Sequence, residues 1–120
     1  VLEMRLEDMF ADPNAFAFAR DFVTERGYRI CVDGLNLTTF PFADTMRLGV
    51  AYAKLGWSQE MAAYAGSEMG KDLKDLIRER KKGRTILARC DSEACVKVGQ
   101  QLGITLFQGR YIDGLVRTRL

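Results

Sequence analysis

Tyr28-Arg29-Ile30-Cys31-Val32-Asp33 is a short apolar run that delivers a carboxylate at its end. The pattern returns downstream. Val50-Ala51-Tyr52-Ala53 ends at Lys54, Thr85-Ile86-Leu87-Ala88 leads into Arg89, Cys90 and Asp91, and Ile104-Thr105-Leu106-Phe107 ends at Gln108. Upstream, Val1–Leu6 alternates weakly and carries Glu3. Each run reads as a strand. Strands that end in charge and alternate with helices are how a parallel α/β protein lines a ligand site, because the strand ends open on one face.

The segments between these strands read as helices and loops. Glu7–Ala11 is a connection. Asp12-Pro13 is a helix start, with Asp as N-cap and Pro in the first turn. Apolar residues at 15, 18, 19, 22 and 23 make one face, and Gly27 stops the helix. Gly34–Phe40 is a loop and Pro41–Leu48 a short helix ended by Gly49. Ser58–Lys82 is a long helical segment with Met61, Ala65, Met69, Leu73, Leu76 and Ile77 on its apolar stripe. Gly66 and Gly70 weaken it and mark a candidate break. Its basic end, Arg80-Lys81-Lys82, complements the helix C-terminus. Asp91 or Ser92 caps a helix running to Leu102, and the tail after Gly109, with Arg110, Arg117 and Arg119, is expected to fray. The predicted class is α/β: about five parallel strands and four helices, too few for an eight-stranded barrel but barrel-like in alternation. An isolated sheet of this kind is expected to leave Phe107, Tyr52 and Ile30 partly bare and to self-associate.

Composition bounds the function. The chain has 120 residues, 48% hydrophobic and 28% charged, which suits one globular domain. A net charge of +2 makes no case for a nucleic-acid polymer or a membrane surface. No apolar run approaches the roughly 20 residues that span a bilayer. Cysteines stand at 31, 90 and 95, and two of them sit in apolar runs. That pattern reads as reduced, buried thiols in a cytoplasmic protein. With no histidine and no CxxC spacing, a zinc site is not expected. The chain opens on Val1 inside a strand-like run and is read as a piece of a longer protein.

Glu3, Asp33, Lys54, Asp91 and Gln108 together place one polar group at or near the end of every strand. Two or three carboxylates there suit Mg²⁺ or Mn²⁺, which take oxygen ligands. A lysine beside them stabilises anionic charge or positions water. Each residue also has a purely structural role open to it. Asp33 can terminate a strand, Asp91 can be an N-cap, and Gln108 can bond a loop backbone.

The order of these segments resembles the second half of an EAL domain, the cyclic di-GMP phosphodiesterase family. Val1-Leu2-Glu3-Met4-Arg5-Leu6 looks like the family's E-x-T-E strand. Gly27–Asn36 occupies the place of the glycine, strand and DDFGTG loop. Val50–Leu55 looks like the lysine strand, Ala88-Arg89-Cys90-Asp91 like AEGVE one residue short, and Leu102-Gly103…Gln108-Gly109 like LG…QGY. The resemblance spans essentially the whole chain, residues 1–120, as the C-terminal half of a TIM-barrel-like fold. It implies Glu3 and Asp33 as metal ligands, Lys54 and Asp91 as catalytic groups if the site is active, and Gln108 near the end of the pocket.

The departures from the family matter more. The second Asp of the pair is Gly34, AEGVE's Glu is the shorter Asp91, and its neighbours are Arg89-Cys90. A two-metal mechanism needs both ions held by fixed ligands. The resemblance therefore implies a degenerate, inactive module of a bacterial signalling protein. It is expected to bind cyclic di-GMP or a partner protein, with no cofactor, or with Mg²⁺ or Mn²⁺ if the ancestral site survives. Arg89 is the one gain, a guanidinium able to meet a phosphate directly. The alternatives are a working phosphodiesterase with its remaining ligands upstream of Val1, and a plain α/β scaffold.

Overall fold

The computed structural model describes residues 1–81 and 83–119, with the side chains of 116–119 left aside. Lys82, in the expected basic cluster, and the side chains of Arg117 and Arg119 therefore lie outside the described residues. The described chain alternates strands and helices. These are β1 (Leu2–Arg5), α1 (Leu6–Ala11), α2 (Pro13–Glu25), β2 (Ile30–Leu35), a 3-10 turn (Phe40–Phe42), α3 (Thr45–Leu48), β3 (Tyr52–Gly56), α4 (Gln59–Tyr64), α5 (Glu68–Glu79), β4 (Thr85–Ala88), α6 (Glu93–Gln101), β5 (Leu106–Phe107) and α7 (Arg110–Arg119). All five strands are parallel in one sheet, in the order β1-β2-β3-β4-β5. The α/β class with parallel strands is as the sequence predicts.

Strand order that follows chain order keeps successive right-handed crossovers on one face of the sheet. Burial shows the result. Along β3 and β4, Ala53, Leu55, Thr85 and Leu87 are buried, while Tyr52, Lys54, Ile86 and Ala88 between them are only half-buried. Parallel sheets are normally covered on both faces and lose this alternation. Here the thinnest dimension is 21 Å, room for one sheet and one helical layer. Register puts Arg5 beside Asp33 and Lys54 beside Ile86 on the thinly covered face. The apolar core lies on the other, where Ile30, Val32, Leu55 and Leu87 meet Met9, Phe40 and Met61.

Ile30 is therefore buried, not bare: it sits one residue out of phase with the open face. Tyr52 and Phe107 are half-buried. Of the apolar stripe expected on the long helical segment, Met61 is fully buried, whereas Met69 is exposed.

Local chemistry explains most boundaries. The Asp12 carboxylate accepts from the Ala15 N–H at 3.1 Å and starts α2, with Pro13 in its first turn. Asp44 caps α3 and the left-handed Gly49 closes it. Of the expected apolar face of α2, only Val23 turns inward. Phe16 is buried and Val23 half-buried, spaced one helical face apart, with Arg20 between them donating to the Leu48 carbonyl at 3.0 Å. Phe18 and Phe22 are left exposed, stacked on each other at 6.5 Å, with the Arg26 guanidinium 3.5 Å from the Phe22 ring centre. The stretch read as a connection, 7–11, is helix α1, held by buried Leu6 and Met9 one turn apart. The tail expected to fray continues as α7.

The long helical segment breaks between α4 and α5, near the glycines. Gly70 does more than weaken a helix. A Cβ there would collide with the Tyr64 backbone carbonyl, so glycine lets α5 turn back closely on α4. Helix propensity alone would make Gly70→Ala stabilising by about 1 kcal/mol. Overpacking against rigid backbone opposes that, and a net loss of about 2 kcal/mol is expected. A higher melting temperature for Gly70→Ala would show that the two helices separate without penalty.

Candidate functional site

The C-terminal ends of the strands open into a cleft of about 780 Å³. Asp33, Lys54, Arg89, Asp91 and Gln108 all line it, although they come from four separate strand ends. Glu3 is not in the lining but is joined to it, because its carboxylate accepts from the Lys54 ammonium. The sequence reading missed Arg5, Gly56 and Arg110, which also line the cleft. Arg5 was within reach of alternation, since it lies two residues after Glu3 and so on the same side of β1. Arg110 was passed over as part of the tail.

The structural roles open to these residues can now be sorted. Asp33 does not terminate β2. The strand continues to Leu35 through an irregularity in register after Val32, where Gly34 adopts φ 73°, and Asp33 Oδ1 accepts from the Gly34 N–H at 2.8 Å. Asp91 is not the N-cap of α6: that position is Ser92, which makes no side-chain cap bond. Gln108 ties β5 to β4 through its backbone, accepting from the Cys90 N–H and donating to the Leu87 carbonyl, both at 2.9 Å.

The Lys54 side chain is 12% accessible, against 45% for its partner Glu3. Burial presses its pKa down, yet the Glu3 carboxylate, with help from Cys31 and Asp33, outweighs that and holds it above the usual 10.5. Lys54 is therefore a fixed cation at neutral pH, not a base. Burial also pushes the Cys31 thiol up to about 11 and the Cys90 thiol up to about 12, the latter with a hydrogen bond to Cys95 adding to it. Nucleophilic cysteines need lowered pKa values, so neither thiol is poised to attack. All three cysteines are free and buried.

No family model, curated protein or solved structure matches the chain. The site is thus read from its own groups. Among the described residues, no three of His, Cys, Asp and Glu stand close enough together to hold a metal ion. Glu3 is engaged by Lys54 and Asp33 by the Gly34 N–H. This donor set does not fit a pair of Mg²⁺ or Mn²⁺ ions, which require several oxygen ligands each. Among the described residues no helix is long and apolar enough to cross a membrane.

Cations dominate the cleft wall. Arg5, Lys54, Arg89 and Arg110 face Asp33 and Asp91. Two of the arginines lie over glycines. The Arg5 Cζ sits 3.1 Å from where a Cβ on Gly34 would be, and a Cβ on Gly56 would collide with the Arg89 guanidinium. Arg89 itself adopts φ 59°. A non-glycine residue in that left-handed region is disfavoured by about 1–2 kcal/mol, so the surrounding structure holds it there.

Proposed function

We propose that this chain is a catalytically inactive EAL-like module of a cytoplasmic bacterial signalling protein that holds cyclic di-GMP at its strand-end cleft without cleaving it. The observation that carries the reading is convergence. Asp33, Lys54, Asp91 and Gln108, matched one by one to segments of the EAL pattern, line a single cleft, and Arg89 lines it with them. The singly wound order of the sheet supports it too, since an eight-stranded barrel is built by the same sequential pairing. A cleft of about 780 Å³ is of the size that takes a nucleotide-sized ligand. Inactivity rests on Gly34 in place of the second acidic residue and on the donor set around Glu3 and Asp33.

Calorimetric titration with cyclic di-GMP tests the binding. The expected outcome is saturable binding with no linear dinucleotide formed on incubation with Mg²⁺ or Mn²⁺. Loss of metal ligands removes several kcal/mol of charge stabilisation from such a reaction, which corresponds to orders of magnitude in rate. Turnover that disappears in Asp33→Asn would overturn inactivity. Absence of binding would overturn the ligand.

A further inference from the structure

Two guanidiniums in the cleft are uncommitted. Arg5 is ion-paired with Glu7 at 3.0 Å and Lys54 with Glu3. The Arg89 and Arg110 guanidiniums make no hydrogen bond or ion pair with any described residue. Arg89 is held in a left-handed conformation that glycine or asparagine would adopt more easily, and its guanidinium crosses a position without a Cβ. A disfavoured backbone kept by a long charged residue, over a floor cleared for it, is the mark of a side chain placed for a ligand.

We propose that Arg89 and Arg110 form a metal-free anion subsite that takes a phosphate group of a small phosphate ester directly. The inference rests on reading the cleft as a ligand site and supplies that ligand's anionic end. Guanidinium is planar, permanently charged and matches phosphate oxygens two at a time, so it needs no bridging cation. Asp33 and Asp91 in the same cleft are acceptors. They meet N–H or O–H groups at the other end of the same ligand. The ligand class is therefore a nucleotide-like molecule, with phosphate at one end and hydrogen-bond donors at the other.

The test uses inorganic pyrophosphate as the probe, titrated calorimetrically into the full 120-residue chain with EDTA present. Saturable binding in EDTA is expected, weakened about tenfold or more in Arg89→Ala and restored only in part in Arg89→Lys, which keeps the charge but loses the fork. Arg78→Ala, on exposed α5, serves as a surface control and should bind as the wild type does. Arg89→Gly suits the left-handed backbone, so it should melt no lower than wild type while losing affinity, which separates lost binding from lost folding. Binding that requires Mg²⁺, no saturable binding, or equal affinity in wild type and Arg89→Ala would each overturn the subsite. Cyclic di-GMP run in parallel separates the two readings. If pyrophosphate binds through Arg89 and the dinucleotide does not bind, the subsite stands and the cyclic di-GMP reading falls. If the dinucleotide binds wild type and Arg89→Ala alike, the subsite falls and that reading stands.

Discussion

Arg80→Ala is expected to destabilise the protein by about 3 kcal/mol and to lower its melting temperature by roughly 10–15 °C. Arg80 is only 4% exposed. Its Nη1 donates to the Phe40 carbonyl at 2.8 Å and its Nη2 to the Pro41 carbonyl at 2.7 Å, while the guanidinium stacks 4.6 Å from the centre of the fully buried Phe40 ring. Bonds from a charged donor contribute about 1.5–3 kcal/mol each, and the stacking adds about 1 kcal/mol. Burial opposes them: it lowers the Arg80 pKa against the pull of Asp44 and Glu79, and Nε finds no partner among the described residues. The bonds win because alanine would leave the Pro41 carbonyl without its donor, leave the Phe40 carbonyl with the Ala43 N–H alone, and open a cavity under the loop at 36–43. Arg80→Met, which fills the space but donates nothing, should lose less than alanine does. A melting temperature within about 2 °C of wild type for Arg80→Ala would mean that desolvation already cancels the contacts.

Stability should also fall steeply in alkali, and Cys90 accounts for a defined part of the loss. An unfolded thiol ionises near 9.0, whereas burial and the Cys95 contact push the folded Cys90 up to about 12. Between those values the unfolded chain releases a proton that the folded chain keeps. The unfolded state then binds fewer protons, so stability declines as pH rises. The contribution is fully present below 9.0 and is lost on the way to about 12. At about pH 10.5 the loss amounts to about 2 kcal/mol. Urea melts at about pH 8 and about pH 10.5 measure it, with Cys90→Ala removing that share of the drop. An identical alkaline loss in both proteins would show that Cys90 ionises no later in the fold than in the open chain.

The strands and the cleft at their ends were legible in the sequence because a polar group stands at or near the C-terminal end of each apolar run. Asp33, Lys54, Arg89, Asp91 and Gln108 could be picked out on that basis, and they share one cleft. The faces were harder to read. The α2 stripe pointed the wrong way because its aromatic residues outnumber what the sheet can cover, and Phe16 takes the buried place instead. Arg80 was read as a surface charge at a helix end, since nothing local announces that the 3-10 turn at Phe40–Phe42, forty residues earlier in the chain, would offer it two carbonyls. Helix α1 was read as a connection because it is a few residues long and is fixed by packing of Leu6 and Met9, not by caps. Arg110 joined the site through Gly109, whose Cβ-free backbone lies against Cys90 and brings the start of α7 beside the end of β4. Such long-range placement has no periodic signature.

Every strand in this sheet pairs with the strand that precedes it in the chain. A nascent chain leaving the ribosome from its N-terminus would thus find each new strand's partner already made. Sequential pairing of this kind lets structure accumulate in the direction of synthesis, with no early strand held open for a late one. It also keeps contacts among neighbouring strand–helix units, the condition under which topology slows folding least. The same order leaves β1 and β5 as the two ends of the row, so further strand–helix units can be joined to either end without rearranging the pairs already formed.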